Sequence, residues 1–325
     1  MGTTARGMVF VGTETFADPL KEPAEPLLSE GFHLRLNPHN RRLTKPDYPR
    51  CFEGVGYILA GLEPYDAEVF AAYPHIRVLS RIGIGVNSID LDAAQEHRVA
   101  VYNTPAAPSR SVAELTLGFM ICLLRGVVSM HTDFRQGRWN PFLGRELAHC
   151  AVGLLGFGRI GGLVAERLQA FGTRTIACDP RWDEAKARRC GVTRVGFEEL
   201  LATSEILSLH LPLDPSTRHL LDGPRLDLMK PGACLINTSR GGIVDDTALI
   251  ERLKARRLGG AALDVFEAEP DPSPYADVPN LLLSPHVGSH TVEARHRMEL
   301  GAVRNLLAYV RAKEDGLPPP PGPLP

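Results

Sequence analysis

Short apolar runs alternate with polar or helix-periodic segments along most of the chain. In its N-terminal third the helical spacing of apolar positions predicts helices at 66–72 and 91–96, and the polar stretch 37–50 predicts a loop. The apolar runs predict strands at 8–11, 33–36, 56–60, 77–80 and 99–102.

The alternation returns after a long apolar helix, predicted at 112–124 behind a capping box of Ser111 and Glu114. Residues 127–149 have no clean period and predict an extended arm. Beyond the arm, strands are predicted at 152–155, 175–178, 206–209, 234–237, 261–263 and 281–283, and helices at 160–171, 197–202, 226–229, 246–255 and 291–311. Such alternation predicts an α/β fold, with two Rossmann-like or flavodoxin-like domains of parallel sheet and a cleft between them.

Composition limits the partners. The 325 residues carry a formal net charge of -2 and are 44% hydrophobic, which favours neither nucleic acid nor a membrane surface. Six cysteines without C-x-x-C spacing predict reduced thiols in a cytoplasmic protein. No signal peptide is recognisable, and the longest apolar run, 115–124, is too short for a membrane span. No metal site is expected, although His286 and His290 have metal-like spacing.

A dinucleotide fingerprint lies in the middle of the chain. Gly156, Gly158 and Gly161 stand between a predicted strand and a predicted helix, and Asp179 ends the next strand. Glycines allow the backbone to approach a pyrophosphate, and the helix N-terminus offers free N–H groups. The Asp179 carboxylate can accept the ribose hydroxyls and repels a 2′-phosphate, so NAD is predicted. NADP is the alternative, because the nearby Arg181 could accommodate a 2′-phosphate.

The domain boundaries follow from this placement. We expect residues 104–289 to form the NAD-binding Rossmann domain, and residues 1–103 with 290–325 to form the substrate domain. The proline-rich stretch 103–108 is the predicted crossing. The proline-rich end 316–325 predicts disorder, with a partner-binding segment as the alternative.

Candidate chemistry follows the strands. Arg240, Glu269 and His286 come after three successive predicted strands, and the carboxyl ends of parallel strands meet at one edge of a sheet. An arginine, a glutamate and a histidine there predict substrate anchoring and an acid/base. In the first domain, the glycine-rich loop 81–87 predicts backbone amides that face a carboxylate.

The chain resembles the D-isomer-specific 2-hydroxyacid dehydrogenases. The motifs that carry the resemblance are RIGIGVNSIDLDAA, SVAELTLGFMICLLR, GLLGFGRIG, HLPLDPSTRHL, INTSRGGIVDD, ALDVFEAEP and SPHVGSHT. It implies that Arg240 binds substrate, that His286 is the general acid/base, and that Glu269 is its paired carboxylate. With the fingerprint, it implies cofactor contacts at Gly156, Gly158, Arg159, Ile160, Gly161, Asp179, His210, Leu211, Thr238, Ser239, Arg240, Asp264, His286 and Gly288. Substrate contacts are implied for Arg81, Ile84, Gly85, Val86 and Arg240.

The implied function is NAD-dependent hydride transfer between nicotinamide and a small D-2-hydroxy acid or 2-oxo acid. Hydroxypyruvate, glyoxylate and 3-phosphoglycerate are the first candidates. An NAD(H)-sensing scaffold like the C-terminal-binding corepressors and a phosphite dehydrogenase-like enzyme are the alternatives. Glu269 argues against formate oxidation, because formate enzymes have glutamine at this position. The apolar helix 112–124 and the arm predict a homodimer.

Overall fold

The computed structural model describes residues 6–17, 22–39, 41–318 and 320–322, and the chain divides into two compact units. The first unit comprises Met1–Pro108 and Thr291–Pro325, and the second comprises Ser109–His290. The division falls after Pro108, at the end of the predicted crossing 103–108, because residues before it are bonded to the first unit. The Gly83 N–H donates to Thr104 Oγ1 and Arg297 Nε donates to the Ala107 carbonyl, both at 2.9 Å.

Strands and helices alternate in both units. The strands are β1 (Gly7–Val11), β2 (Phe32–Leu36), β3 (Val55–Ala60), β4 (Val78–Arg81), β5 (Ala100–Tyr102), β6 (Ala151–Leu155), β7 (Arg174–Cys178), β8 (Val192–Arg194), β9 (Ile206–Leu209), β10 (Cys234–Asn237), β11 (Gly260–Leu263) and β12 (Leu281–Leu283). The α-helices are α1 (Glu25–Ser29), α2 (Tyr48–Phe52), α3 (Ala67–Ala72), α4 (Leu91–Glu96), α5 (Ser109–Arg125), α6 (Val127–Arg135), α7 (Arg159–Ala170), α8 (Glu184–Cys190), α9 (Phe197–Thr203), α10 (Gly223–Asp227), α11 (Asp246–Lys254) and α12 (Val292–Glu314). The predicted α/β class is confirmed.

The sheet of the first unit is parallel, in the order β2-β1-β3-β4-β5. Phe10, Ile58 and Leu79 belong to the core on one face, whereas Val9 and Leu59 pack with α12 on the other. Because both faces are covered, these strands read as continuous apolar runs.

The sheet of the second unit has seven parallel strands in the order β12-β11-β10-β9-β6-β7-β8. Every residue of β6 is buried, and apolar residues of α5 and α7, Met120 and Val164 among them, share its core. The strand order reverses between β6 and β9. In open parallel sheets a ligand binds at this point, outside the carboxyl ends of the strands.

Several elements differ from the prediction. The arm contains helix α6, which has no buried residue and therefore no apolar period to reveal it. The predicted loop 37–50 runs into helix α2, which buries Tyr48, Cys51 and Phe52. Helix α5 begins at Ser109, so Ser111 is not its cap, and the Glu114 carboxylate lies 3.4 Å from Arg167 instead. The sequence interpretation also missed α1, α8 and β8.

The proline-rich end was predicted to be disordered, and for its described part this is wrong. The Tyr102 hydroxyl donates to the Pro320 carbonyl at 2.9 Å, and a Cβ on Gly322 would lie 2.6 Å from the Val101 carbonyl oxygen. Glycine thus permits close approach to β5. Residues 319 and 323–325 lie outside the described residues. Among those described, no single helix is long and apolar enough to span a membrane, and only the bent pair α5 and α6 meets that test jointly.

Candidate active site

The fingerprint turn is built by close backbone approach. Gly156 has φ +97°, and a Cβ there would lie 2.5 Å from the His210 carbonyl oxygen. A Cβ on Gly161 would lie 2.2 Å from the Gly156 carbonyl oxygen. Helix α7 starts at Arg159, and its cap, Gly158, provides no side-chain hydrogen bond. Its first N–H groups are therefore directed toward a site suited to a phosphate.

Asp179 is held in place before any ligand arrives. Its two carboxylate oxygens accept the backbone N–H groups of Phe157 and Arg181, each at 2.7 Å. Each oxygen keeps a lone pair for a ribose hydroxyl. An open pocket of about 560 Å³ adjoins it, lined by Cys178, Asp179, Pro180, Arg194, Val195, Gly196 and Glu199. The glycine turn, the bare helix N-terminus and this carboxylate together fit a dinucleotide.

Lys186 is a part of this region that the sequence interpretation missed. Its ammonium donates to the carbonyl oxygens of Phe157 at 2.8 Å and Gly158 at 3.3 Å, and it lies 4.8 Å from the centre of the Phe157 ring. The side chain thus fastens the fingerprint turn to α8. No motif marks a lysine on a short, largely exposed helix, so only the structure reveals it.

The predicted cofactor residues beyond the fingerprint are largely engaged within the protein. His210 Nε2 lies 3.0 Å from Ser208 Oγ, and burial of the ring lowers the pKa of His210 to about 3 although the residue as a whole is partly exposed. Leu211 follows it and packs against the core. Thr238 Oγ1 lies 2.9 Å from Thr116 Oγ1, and Ser239 Oγ donates to Asn237 Oδ1 at 2.7 Å.

Asp264 supports the loop that carries His286. Its carboxylate accepts the N–H groups of Val287 at 2.8 Å and Gly288 at 2.7 Å, and it also accepts the Ser284 hydroxyl. The Asp264 carbonyl accepts the His286 N–H at 2.9 Å. His286 adopts a left-handed backbone conformation, with φ 55°, which this loop imposes. A contact of Asp264 with the nicotinamide remains a prediction.

His286 and Glu269 form a pair. His286 Nδ1 lies 3.0 Å from Glu269 Oε2, and Glu269 Oε1 accepts the Phe266 N–H at 3.0 Å. Burial alone would raise the pKa of Glu269. The hydrogen bond and charge of His286, the Phe266 N–H and the charge of Arg240 outweigh burial, and the pKa of Glu269 is lowered. An ionised Glu269 requires a proton on Nδ1, which leaves Nε2 to exchange a proton with a ligand.

Arg240 completes the group in the second unit. It follows β10, where Asn237 accepts the Ser239 N–H and donates to the Arg240 carbonyl, so this turn is fixed. Its guanidinium donates to the Ser239 carbonyl at 2.6 Å. Burial lowers the pKa of Arg240, and the charge of Glu269 opposes this, but an arginine stays charged in proteins. The Arg240 cation can bind a carboxylate, and the His286–Glu269 pair can move a proton.

The predicted substrate loop of the first unit is shaped by Arg81. This side chain is 8% exposed, and it donates to the Gly85 carbonyl at 3.2 Å and to the Ile82 carbonyl. Its guanidinium lies under Gly83, where a Cβ would approach to 2.9 Å. The buried Arg81 side chain therefore stabilises the loop through hydrogen bonds to its carbonyl groups. Substrate contacts of Arg81, Ile84, Gly85 and Val86 stay predictions.

A doubly wound parallel sheet with a dinucleotide turn defines a dinucleotide-binding domain, and the histidine–glutamate pair belongs to the same unit. Residues 117–288 match the model of the D-isomer specific 2-hydroxyacid dehydrogenase, NAD binding domain. The chain belongs to this family, and its cofactor is NAD.

Similarity to known proteins supports this family assignment. The chain is 38% identical to D-3-phosphoglycerate dehydrogenase of Mycobacterium leprae over 71% of this chain and 44% of that protein. It therefore spans less than half the length of that relative. It is 33% identical to hydroxypyruvate reductase of Thermotoga maritima over 89% of this chain and 95% of the relative. The Aquifex aeolicus D-lactate dehydrogenase complexed with NAD and lactic acid has a TM-score of 0.82 and 25% identity, over 95% of this chain and 96% of that one.

Proposed function

We propose that this protein is an NAD-dependent dehydrogenase that interconverts a small 2-oxo acid and the corresponding D-2-hydroxy acid. The observation that carries the proposal is the His286–Glu269 pair, with atoms 3.0 Å apart, in an NAD-binding domain that also places Arg240 near Glu269. These three side chains suit a substrate with a carboxylate that Arg240 can bind and a carbonyl oxygen that His286 can protonate.

The residues have distinct tasks in this scheme. Bound NADH supplies the hydride. Arg240 binds the substrate carboxylate through its planar guanidinium and thereby orients the carbonyl group. His286 delivers the proton from Nε2 to the carbonyl oxygen, and the ionised Glu269 stabilises the imidazolium until that transfer. In the oxidation direction the neutral imidazole accepts the hydroxyl proton.

The substrate is proposed from the names of relatives. Relatives are named D-3-phosphoglycerate dehydrogenase, glyoxylate reductase and hydroxypyruvate reductase. We therefore infer glyoxylate, hydroxypyruvate or 3-phosphohydroxypyruvate as the oxo acid. We also propose a cytoplasmic location, as expected from the scattered cysteines. We propose no nucleic-acid or membrane partner.

The test follows NADH absorbance with purified protein and four acids: glyoxylate, pyruvate, hydroxypyruvate and 3-phosphohydroxypyruvate. We expect one acid to be reduced at least about tenfold faster than the slowest, a difference that one added or missing contact supplies. NADPH in place of NADH should give a much lower rate, because the fixed carboxylate of Asp179 would repel a 2′-phosphate. If NADH binds and no acid is reduced, the sensing scaffold replaces the enzyme.

We further propose a homodimer formed through α5, α6 and the segment 136–146. Large apolar side chains there are exposed, with Trp139 at 79% and Leu143 at 97%. Several exposed large apolar side chains on neighbouring elements are typical of an interface. We expect sedimentation to show a dimer for the wild type and a monomer for Leu143→Asp. Leu228→Asp, at a side chain 47% exposed elsewhere in the unit, is the control and should stay dimeric.

A further inference from the structure

Asp246 is a buried carboxylate with no task in the scheme above. It opens helix α11, and only 6% of it is exposed. One of its oxygens, Oδ2, accepts both the backbone N–H of Glu267 at 2.8 Å and the Tyr275 hydroxyl at 2.6 Å. Burial, with the charges of Glu267 and Asp245, raises the pKa of Asp246 against these two hydrogen bonds. A carboxylate kept at such a place needs an explanation.

Tyr275 completes the network. Its ring packs against Phe266, with the ring centres 4.9 Å apart, and its hydroxyl donates to Asp246 Oδ2. The N–H of Glu267 and the ring of Phe266 are thus held by Asp246 and Tyr275. Phe266 and Glu267 lie shortly before Glu269 in the chain.

The same segment is confined on its other side. A Cβ on Gly241, next to Arg240, would lie 2.3 Å from the Phe266 carbonyl oxygen, so the backbone of Phe266 lies directly against this turn. The Phe266 N–H donates to Glu269 Oε1 at 3.0 Å. Residues 266 and 267 therefore lie between the Arg240 turn and the Asp246–Tyr275 pair. Their position sets where Glu269 meets His286.

We propose that Asp246 and Tyr275 are positioning residues that fix Glu269 against His286. The proposal rests on the proposed function, in which Glu269 stabilises the protonated ring. Neither residue touches the reacting atoms. Both act through residues 266 and 267, and the carboxylate serves as an acceptor of two hydrogen bonds.

The first test is kinetic. Asp246→Ala should lower kcat about tenfold or more, because displacement of a catalytic group by 1 Å costs about a hundredfold. KM for NADH should change little. Asp246→Asn should recover most of kcat, because its Oδ1 accepts the same two bonds. Asp245→Ala is the matched control: it removes the cap of the same helix, where Asp245 accepts the Ala248 N–H at 3.0 Å, and should keep kcat.

A double substitution separates positioning from stability. If Asp246 acts through Glu269, Asp246→Ala should have almost no further effect on kcat in a Glu269→Gln background. In both single variants, the reduction rate should fall off at lower pH than in the wild type. Tyr275→Phe, which keeps the ring and loses only the hydroxyl, should move the profile in the same direction and covers the case in which Asp246→Ala fails to fold.

A readout without substrate keeps the proposal separate from the proposed function. In ¹⁵N-histidine-labelled protein, the His286 Nδ1–H resonance reports its hydrogen bond to Glu269. It should be lost in Asp246→Ala and kept in Asp245→Ala, whether or not any acid is reduced. Equal fractional losses of kcat in the wild-type and Glu269→Gln backgrounds, or an unchanged resonance in Asp246→Ala, would overturn the proposal.

Discussion

Replacing Gly161 by alanine tests how closely the fingerprint turn is packed. The added Cβ would lie 2.2 Å from the Gly156 carbonyl oxygen, whereas ordinary contact begins at 3.4 Å, so the turn must open by about 1.2 Å. The obstacle is backbone, which cannot rotate away. Overpacking of this kind costs about 1–3 kcal/mol of folding free energy.

The larger effect is expected on NADH binding. The opened turn misaligns the first N–H groups of α7, and one lost charge-assisted hydrogen bond costs about 1.5–3 kcal/mol. Each 1.4 kcal/mol is about a tenfold change in Kd. Gly161→Ala should therefore weaken NADH binding at least about tenfold, measured by fluorescence titration or calorimetry.

Gly162→Ala is the matched control in the same helix. Its Cβ would lie 3.0 Å from Cδ of Lys186, and this flexible chain can shift at Cδ while its ammonium keeps the hydrogen bonds to Phe157 and Gly158. Alanine also favours a helix over glycine by about 1 kcal/mol, so this variant should be at least as stable as the wild type. If both variants bind NADH with the same Kd, the close approach does not shape the cofactor site and the reasoning is wrong.

Two further predictions concern protons. Because the lowered pKa of Glu269 keeps this carboxylate ionised beside His286, Glu269→Gln should make the reduction rate fall off at lower pH than in the wild type; identical pH profiles would contradict the pairing. His210 has a pKa of about 3 when folded, against an ordinary histidine pKa of 6.5, so the unfolded state binds more protons between these values. Stability is therefore lost as pH falls below 6.5, by about 2 kcal/mol at pH 5. Urea unfolding at pH 7 and pH 5 should show a smaller loss for His210→Gln, and an equal loss would refute the assignment.

The sequence was sufficient for features that depend on local pattern. Strands such as β6 and β9 are buried along their whole length and read as apolar runs. The fingerprint glycines and Asp179 have fixed spacing around one strand and one helix. These elements could be predicted because the residues that form them are neighbours along the chain.

Other features depend on contacts between distant residues. Helix α6 has no buried face, so periodicity could not reveal it. Lys186 reaches carbonyl groups on the fingerprint turn 28 and 29 positions away, and Tyr275 bonds to Asp246 across 29 positions. The oxygens of Asp264 accept N–H groups of the His286 loop, at residues 23 and 24 positions away. No spacing in the sequence indicates such partners.

In the proposed reaction His286 moves the proton, and His219 offers a control of similar geometry. Both residues have positive φ, and both pair with a glutamate: His219 Nε2 lies 2.7 Å from Glu267 Oε1. The decisive measurement compares NADH oxidation by wild type, His286→Ala and His219→Ala with the best oxo acid, at matched NADH saturation. We expect a loss of about 10²- to 10⁴-fold for His286→Ala and nearly full activity for His219→Ala. A His286→Ala enzyme that keeps its rate, or equal losses in both variants, would contradict this role of His286.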